Sequence, residues 1–491
     1  MRGPTLVIIP ALLTLAPPAI AAQDPILDSY RRARAAVEAS VEALGGREAF
    51  ARLDTLRVSW TGDLVNRHQS RRVEPPYDRT PTHGELVLAG TRLRYGNAFS
   101  YPGGFDGWNG GRFDGTAGCE VDFVRRVAGP IPASGVSNAR GAMLDRFPFR
   151  HVEQALAQGR SLRYAGRFDF EGRPHDVVTY APSGRALSLW IDAATRLPSK
   201  FDQLISDPVS GDVLNETIWP GYAEARGLMV PTGRVLRVGG EVTVDTRLEW
   251  TLGGPIADSA FACPVGFDSV VRGPSQLAVR PLAEGLHLAE GLSGSSALVA
   301  EFADHLLVVE PYGDDGASRR LLTELGRRFP GKPVRYVVAT HHHDDHTGGL
   351  RAYMEEGVTV VTTPGNVAHF RRVAARRGTL DGVDRPAEPR FEEVRGRRMF
   401  GTGPAAVEVL DIGPNPHTEE MLVAYVPAAR LVFQGDLLNA DWSGRTRPGN
   451  ATTKAFAAWL RGSGLAVDRV AGVHGPVRTL AQLEEAVALA R

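Results

Sequence analysis

The sequence predicts an α+β chain built from two unlike halves, and three observations carry that expectation. An amphipathic helix opens the mature chain, a long series of short alternating segments follows, and from about residue 275 apolar strand-like runs alternate with helical stretches. With 491 residues there is room for two to three domains of about 100–200 residues each.

The opening helix spans Ile26 to Leu44. Ile26, Tyr30, Ala33, Val37, Val41 and Leu44 recur at three- and four-residue steps, Arg31, Arg32, Glu38 and Glu42 lie between them, and Gly45-Gly46 ends the pattern. The alternating segments are Leu56–Trp60, Gly84–Leu88, Arg92–Tyr95, Val177–Tyr180, Leu187–Ile191, Arg234–Val238 and Val242–Leu248. Turns such as Pro102-Gly103-Gly104 and Gly239-Gly240 separate them, so residues 23–270 read as an antiparallel, curved-sheet domain behind an N-terminal helix. The texture changes after Phe261-Ala262-Cys263-Pro264. Ser296–Ala300, His305–Val309, Val334–Ala339 and Thr359–Thr362 then read as strands, and Arg319–Arg328 and Gly349–Glu356 as helices, of a second domain over residues 275–491. The basic stretch Arg371–Arg398 reads as a solvated helix face and loop, with a lid that attracts anionic substrates as the sharper alternative.

Composition narrows the partners. Lys+Arg and Asp+Glu both number 56, so no overall positive field exists to neutralise phosphates, and a nucleic-acid partner is not expected. Only Lys200, Lys332 and Lys454 are lysines, a bias that reads as genomic base composition. At the N-terminus Arg2, the apolar run Leu6–Leu15 and the small residues of Ala19-Ile20-Ala21 predict a signal peptide over residues 1–22 and a periplasmic or secreted protein. The alternative is an unprocessed apolar N-terminus. Pro17 and Pro18 break the run, it is short for a membrane span, and no cysteine follows it for lipidation, so no stable membrane anchor is expected. Cys119 and Cys263 are the only cysteines. An oxidising compartment permits a bridge between them; residues so far apart also serve as buried hydrophobes, and neither sits where it would complete a metal cluster.

The chemistry is concentrated in Thr340-His341-His342-His343-Asp344-Asp345-His346-Thr347-Gly348-Gly349. Four of the 13 histidines fall within six residues here, directly after the apolar, β-branched run Val334–Ala339, which reads as a buried strand. In extended geometry His341, His343 and Asp345 share one side, and His346 falls where the chain turns into the next helix. Imidazole and carboxylate are the ligands zinc prefers, and this set exceeds what one open tetrahedral site needs, so two adjacent ions are expected. The glycines relieve crowding where backbone passes the site.

His-x-His-x-Asp-His followed by two glycines resembles the signature of the metallo-β-lactamase superfamily. Later segments fall in the matching order: Gly413-Pro414-Asn415-Pro416-His417-Thr418, then Gln434-Gly435-Asp436-Leu437, then Val473-His474-Gly475-Pro476. The resemblance covers residues 280–491 and implies a four-layer αβ/βα sandwich with the site at one edge of its paired sheets. It implies that His341, His343 and His417 hold a first divalent ion, that Asp345, His346 and His474 hold a second, and that Asp436 bridges them. The ions would be zinc, about 3.5–4 Å apart, sharing a water acidified to hydroxide that attacks an acyl carbon, with Asp345 orienting it and accepting its proton. Asp436 stands where the best-known β-lactamase subclasses carry cysteine and resembles the thioesterase, lactonase and sulfatase branches. Glu310 stands where family members commonly show aspartate. His342 and Asp344 occupy variable positions and are expected to face outward; His287, His305 and His369 are expected to be structural or surface residues, and Tyr312 and Trp442 are pocket candidates.

The first half resembles, more weakly, the lipoprotein-carrier class of half-open barrels, through Ala43-Leu44-Gly45-Gly46, the run Ile191–Pro198, and Gly221-Tyr222 with Gly227 and Val230-Pro231. That would imply an apolar concavity for acyl chains; a scaffold sheet that docks the enzyme domain is the competing reading. Three functions therefore stand. They are a small-molecule hydrolase of an ester, lactone, thioester or amide, a true β-lactamase, and a lipophilic-ligand binder with an inactive hydrolase domain. Sequence leaves the oligomeric state open.

Overall fold

Asp24 starts the first helix by accepting the amides of Ile26 and Leu27 at 2.9 and 3.2 Å, with Pro25 preset for the first turn. The computed structural model describes residues 24–132, 134–137, 141, 147–292, 294–382 and 386–490. The expected signal peptide lies outside the described residues. The helix Pro25–Ala43 buries Ala33, Val37 and Val41. A second helix, Pro148–Ala157, adds Phe149, Val152 and Ala155 to the same core. Both pack on Val58, Trp60, Leu86, Leu88, Leu189, Ile191 and Leu248 of one large sheet, so this apolar face is filled by the chain's own side chains.

That sheet has fourteen strands among the described residues. One meander runs outward from Thr55–Val65 through Arg79–Ala89, Arg92–Tyr101, Phe105–Phe113 and Gly118–Asp122 to Val127–Pro130. A second runs back from Arg163–Phe170 to Glu241–Leu252, which pairs with Thr55–Val65 and joins the two. Every pairing is antiparallel except that of Asp268–Ser269 with Val127–Pro130. The fragments that suggested a carrier barrel do meet: a Cβ on Gly45, at φ +110°, would lie 2.2 Å from the Gly227 carbonyl, and the Met229 amide donates to Leu44 at 3.1 Å. Cys119 and Cys263 are bonded, with Cα atoms 6.0 Å apart, tying a strand near the sheet edge to the segment that leads into the second half.

The second half is layered. Seven strands, from Ala278–Ala283 to Arg390–Glu393, form one sheet; Leu306–Val309, Val334–Val338, Thr359–Thr362 and Arg390–Glu393 pair in parallel. Six more, from Arg397–Phe400 to Arg478–Thr479, form another. Leu288, Leu298, Leu307 and Val309 of the first sheet meet Val407, Val409, Leu422 and Phe433 of the second in a dry middle core. The outer face of the first is covered by Leu321 and Leu325 of Asp315–Arg328 and Tyr353 of Leu350–Glu355. The outer face of the second is covered by Phe456 and Leu460 of Ala451–Ser463 and Leu483 of Leu480–Leu489. Helix, sheet, sheet, helix is the expected four-layer order.

Several described arginines of the basic stretch are paired. Arg372 pairs with Glu74, Arg376 with Asp315, Arg397 with Glu408 and Arg398 with Glu392. Among the described residues no helix is long and apolar enough to cross a membrane.

Candidate metal centre

The strand Val334–Val338 is held in parallel between its neighbours and stops at Val338; the Ala339 amide still donates to Val361 at 3.0 Å. The chain then turns. His343 caps a short helix, Asp344–Thr347, and Thr347 Oγ1 donates to the His343 carbonyl at 2.9 Å. The extended alternation expected through Asp345 therefore ends at His343, and Asp345 reaches the site from a helical turn instead. A Cβ on Gly348 would lie 2.1 Å from the Gly313 carbonyl, which is why backbone passes here only as glycine.

Three further loops complete the cluster. Asn415 Oδ1 accepts the His417 amide at 2.9 Å and so aims that ring. Asp436 follows the buried strand Leu431–Gln434, where the Gln434 side chain accepts the amides of Leu437 and Leu438. His474 follows the strand Arg469–Gly472. His341, His343, His417 and Asp436 form one group and Asp345, His346, Asp436 and His474 another; within each, the potential ligand atoms lie within 4.8 Å of one another, and Asp436 belongs to both. The structure thus gathers all seven residues expected at the site.

The donor set fits divalent cations. His341 Nε2 and His417 Nε2 stand 3.3 Å apart, the spacing of two ligands on one tetrahedral ion with Zn–N of about 2.0 Å. His343 Nδ1 is buried without a hydrogen-bond partner, its Nε2 being taken by the Ser70 carbonyl at 2.9 Å. In the second group Asp436 Oδ2 lies 3.0 Å from His346 Nε2, Asp436 Oδ1 lies 3.0 Å from His474 Nε2, and Asp345 Oδ2 lies 3.5 and 3.6 Å from the same two rings.

Charge points the same way. Burial, with neighbouring imidazoles, pushes His341 well below its ordinary range, and burial takes His343 down to about 3, leaving both neutral as ligands must be. Burial works against protonation of His346 and His474 too, yet Asp436 and Asp345 overcome it and raise both, His474 to about 9. Burial likewise opposes ionisation of Asp345 and Asp436, but the facing imidazoles hold both carboxyls below the usual range. The two carboxylates call for positive charge between them, as protons or as cations.

Glu310, fully buried, accepts from the Thr340 hydroxyl and lies 3.3 Å from His346 Nδ1, which orients that ring with Nε2 toward the cluster. Its φ of +81° is a strained backbone held where it serves the site. Tyr312 stands edge-on to His346 and His474, at 5.9 and 5.7 Å between centroids.

Two expectations are corrected. His342 does not face outward: it is 2% exposed, packed edge-on against His343 and His369, because the turn after His341 folds the loop under the first half of the chain. Asp344 is not free in solvent, since its Oδ1 accepts from Gln69 Nε2 at 2.8 Å. His287, His305 and His369 are buried and structural.

Residues of the first half were missed altogether. Gln69, Tyr101, Phe105 and Arg125 join Asp345, His417, Asp436, Asn439, Trp442 and His474 around a cleft of about 340 Å³. Phe105 meets His417 edge-on at 4.9 Å. Nothing near these positions in sequence carries a periodic or motif signal that would have marked them.

Sheet order and site together define a helix–sheet–sheet–helix domain whose strand-end loops converge on a paired histidine–carboxylate centre. The family model described as Metallo-beta-lactamase superfamily matches residues 290–483. This part of the chain is thus similar to a superfamily of metal-dependent hydrolases. The chain is 25% identical over 146 residues to a Bacillus cereus metallo-beta-lactamase type 2, covering 30% of this chain and 52% of that one. It is 30% identical over 124 residues to a Brucella ovis hydroxyacylglutathione hydrolase, covering 25% and 41%. The chain thus spans about half the length of the curated relatives it matches. A crystal structure of the metallo-beta-lactamase FIM-1 from Pseudomonas aeruginosa in a mono-zinc form aligns over 44% of this chain and 95% of that one, at 22% identity and a TM-score of 0.34.

Proposed function

We propose that this protein is an exported, dinuclear, zinc-dependent hydrolase that cleaves an ester, lactone, thioester or amide of a small molecule. The observation that carries the reading is the pair of ligand groups sharing Asp436. Bound ions there supply an acidified water and a Lewis acid for the acyl carbonyl. The chain's residues do the rest. His341, His343 and His417 would hold one ion and Asp345, His346 and His474 the other, with Asp436 common to both groups. The Asp345 carboxylate, facing the cleft, orients the attacking water and takes its proton. Tyr101, Phe105 and Trp442 exclude solvent around the acyl group.

Aspartate at position 436, where cysteine would mark the best-known β-lactamases, favours the thioesterase and lactonase kind of substrate. The Cys119–Cys263 bond supports export to an oxidising compartment. Mass spectrometry of the mature protein from its native host should then find an N-terminus near Ala22 or Gln23, and an intact Met1 would refute export.

The test of activity is a panel of a nitrophenyl ester, a lactone, an S-acyl glutathione thioester and the β-lactam nitrocefin, run on zinc-loaded protein with and without chelator. Hydrolysis of one of the first three, abolished by chelation, is expected. Nitrocefin as the preferred substrate would make the protein a β-lactamase, and no chelator-sensitive turnover on any of them would overturn the proposal.

A further inference from the structure

The structure assigns part of the metal centre to the other domain: Gln69, with the backbone carbonyl of Ser70, acts as a positioning group that selects which atoms of Asp345 and His343 face the ions. This rests on the dinuclear reading above.

Residues 66–78 link the strands Thr55–Val65 and Arg79–Ala89 and leave their own sheet to lie on the second half. The loop is closed upon itself. The Asn66 amide donates to the Asp78 carbonyl at 2.9 Å, and the Asp78 carboxylate accepts from Ser70 Oγ at 2.9 Å, from the Arg71 amide at 2.8 Å and from the Arg71 guanidinium at 2.7 Å. It is also fastened to the catalytic half on both sides of the site. The Glu419 amide, two residues beyond His417, donates to the Arg71 carbonyl at 2.9 Å, and the Asp344 amide donates to the His68 carbonyl at 3.4 Å. A loop held at this many points presents its tip in one orientation.

That tip makes two contacts, one to each ion group. The Gln69 amide nitrogen carries two hydrogens and spends both on carboxylates: 2.8 Å to Asp344 Oδ1 and 2.8 Å to Asp345 Oδ1. With Oδ1 engaged, Asp345 turns Oδ2 toward His346 and His474. Ser70 O accepts from His343 Nε2 at 2.9 Å, and the only nitrogen left to His343 is the buried, unpartnered Nδ1 that faces the first group. Outer hydrogen bonds of this kind fix tautomer and ring orientation, and losing one typically weakens metal affinity by about 10–100-fold. Here they come from residues some 270 positions earlier in the chain.

The test is Gln69→Met, which keeps the length and removes both donors. Zinc binding is measured by competition with a chromophoric chelator on the full-length protein, alongside the visible spectrum of the cobalt-substituted form and the melting temperature of the metal-free form. The expected result is a second-ion affinity lowered by about 10–100-fold, first-ion affinity held, an altered cobalt spectrum and an unchanged metal-free melt. Asp344→Asn, which still offers Gln69 an acceptor oxygen, should leave second-ion affinity close to that of the parent. Should Gln69→Met fail to fold, Gln69→Asn, one methylene too short to reach, takes its place. Parent-like binding of both ions with an unchanged spectrum would overturn the assignment while leaving the dinuclear centre intact. A parent protein that takes up only one ion would instead sink the dinuclear reading and this inference with it.

Discussion

The two halves of this molecule spend their residues differently. In the first, an almost wholly antiparallel sheet pairs most strands with their sequence neighbours, two helices fill its apolar face, and a disulfide ties a strand near one edge. In the second, mixed sheets with parallel strands at their middles bring distant segments side by side, and loops at strand ends carry the candidate metal ligands. Parallel order costs long crossovers, but together with the antiparallel hairpin that carries His417 it lets four separate loops converge on one point. An antiparallel meander puts its loops at both ends and gathers little chemistry. The first half is thus expected to control stability and the second turnover, with the loop 66–78 as the place where this division fails.

The largest effect should come from Asp345→Asn. Size and one oxygen are kept while charge and basicity go, so kcat should fall by about 10²–10⁴-fold with little change in melting temperature. Steady-state kinetics beside a thermal melt checks this, and an equally large loss of stability would break the division of labour. The matching perturbation of the first half is Cys263→Ser. Opening a closed loop this long should cost about 2–4 kcal/mol in denaturant unfolding and leave kcat on the best substrate within about twofold, since neither cysteine lines the cleft. Asp344→Asn comes next: with Gln69 still satisfied, kcat should fall by less than about tenfold, well short of a general-base loss. Parity with Asp345→Asn would mean that the roles of the two adjacent carboxylates have been exchanged.

The last effect is absent at neutral pH and appears only in acid. Burial, then the neighbouring charge of Arg372, holds His369 down to about 3 in the folded chain, whereas unfolded histidine titrates near 6.5. The folded state binds fewer protons, so this residue's contribution is fully present above about pH 6.5 and is lost as pH falls toward 3, by up to about 1.4 kcal/mol per pH unit. His369→Phe should flatten that part of the stability–pH curve of the metal-free protein. A curve as steep as the parent's would place the acid sensitivity elsewhere.

Much of the second half could be read directly. His341, His343, Asp345 and His346 lie within six residues behind an apolar run, and local spacing is a property a linear chain displays. His417, Asp436 and His474 were recognisable because each follows or precedes a short apolar strand in a matching order. The opening helix was legible for the same reason, from its three- and four-residue rhythm. The helix Pro148–Ala157 and several strands, such as Phe105–Phe113 and Pro198–Asp207, were not, since glycines and charges interrupt their alternation.

What the sequence by itself displayed, then, was the type of each half and the candidate ligands His341, His343, Asp345 and His346, because periodicity and clustered donor chemistry are local; His417, Asp436 and His474 were singled out by the family resemblance. Only the tertiary structure decided that Cys119 reaches Cys263, that His342 is buried, and that Gln69, Ser70, Tyr101 and Phe105 stand at the metal centre. Apart from the burial of His342, these are contacts between segments more than a hundred residues apart. A glutamine amide that spans two carboxylates looks, along the chain, like any other polar residue in a loop; it acquires its role only when the fold lays residues 66–78 against Asp344 and Asp345.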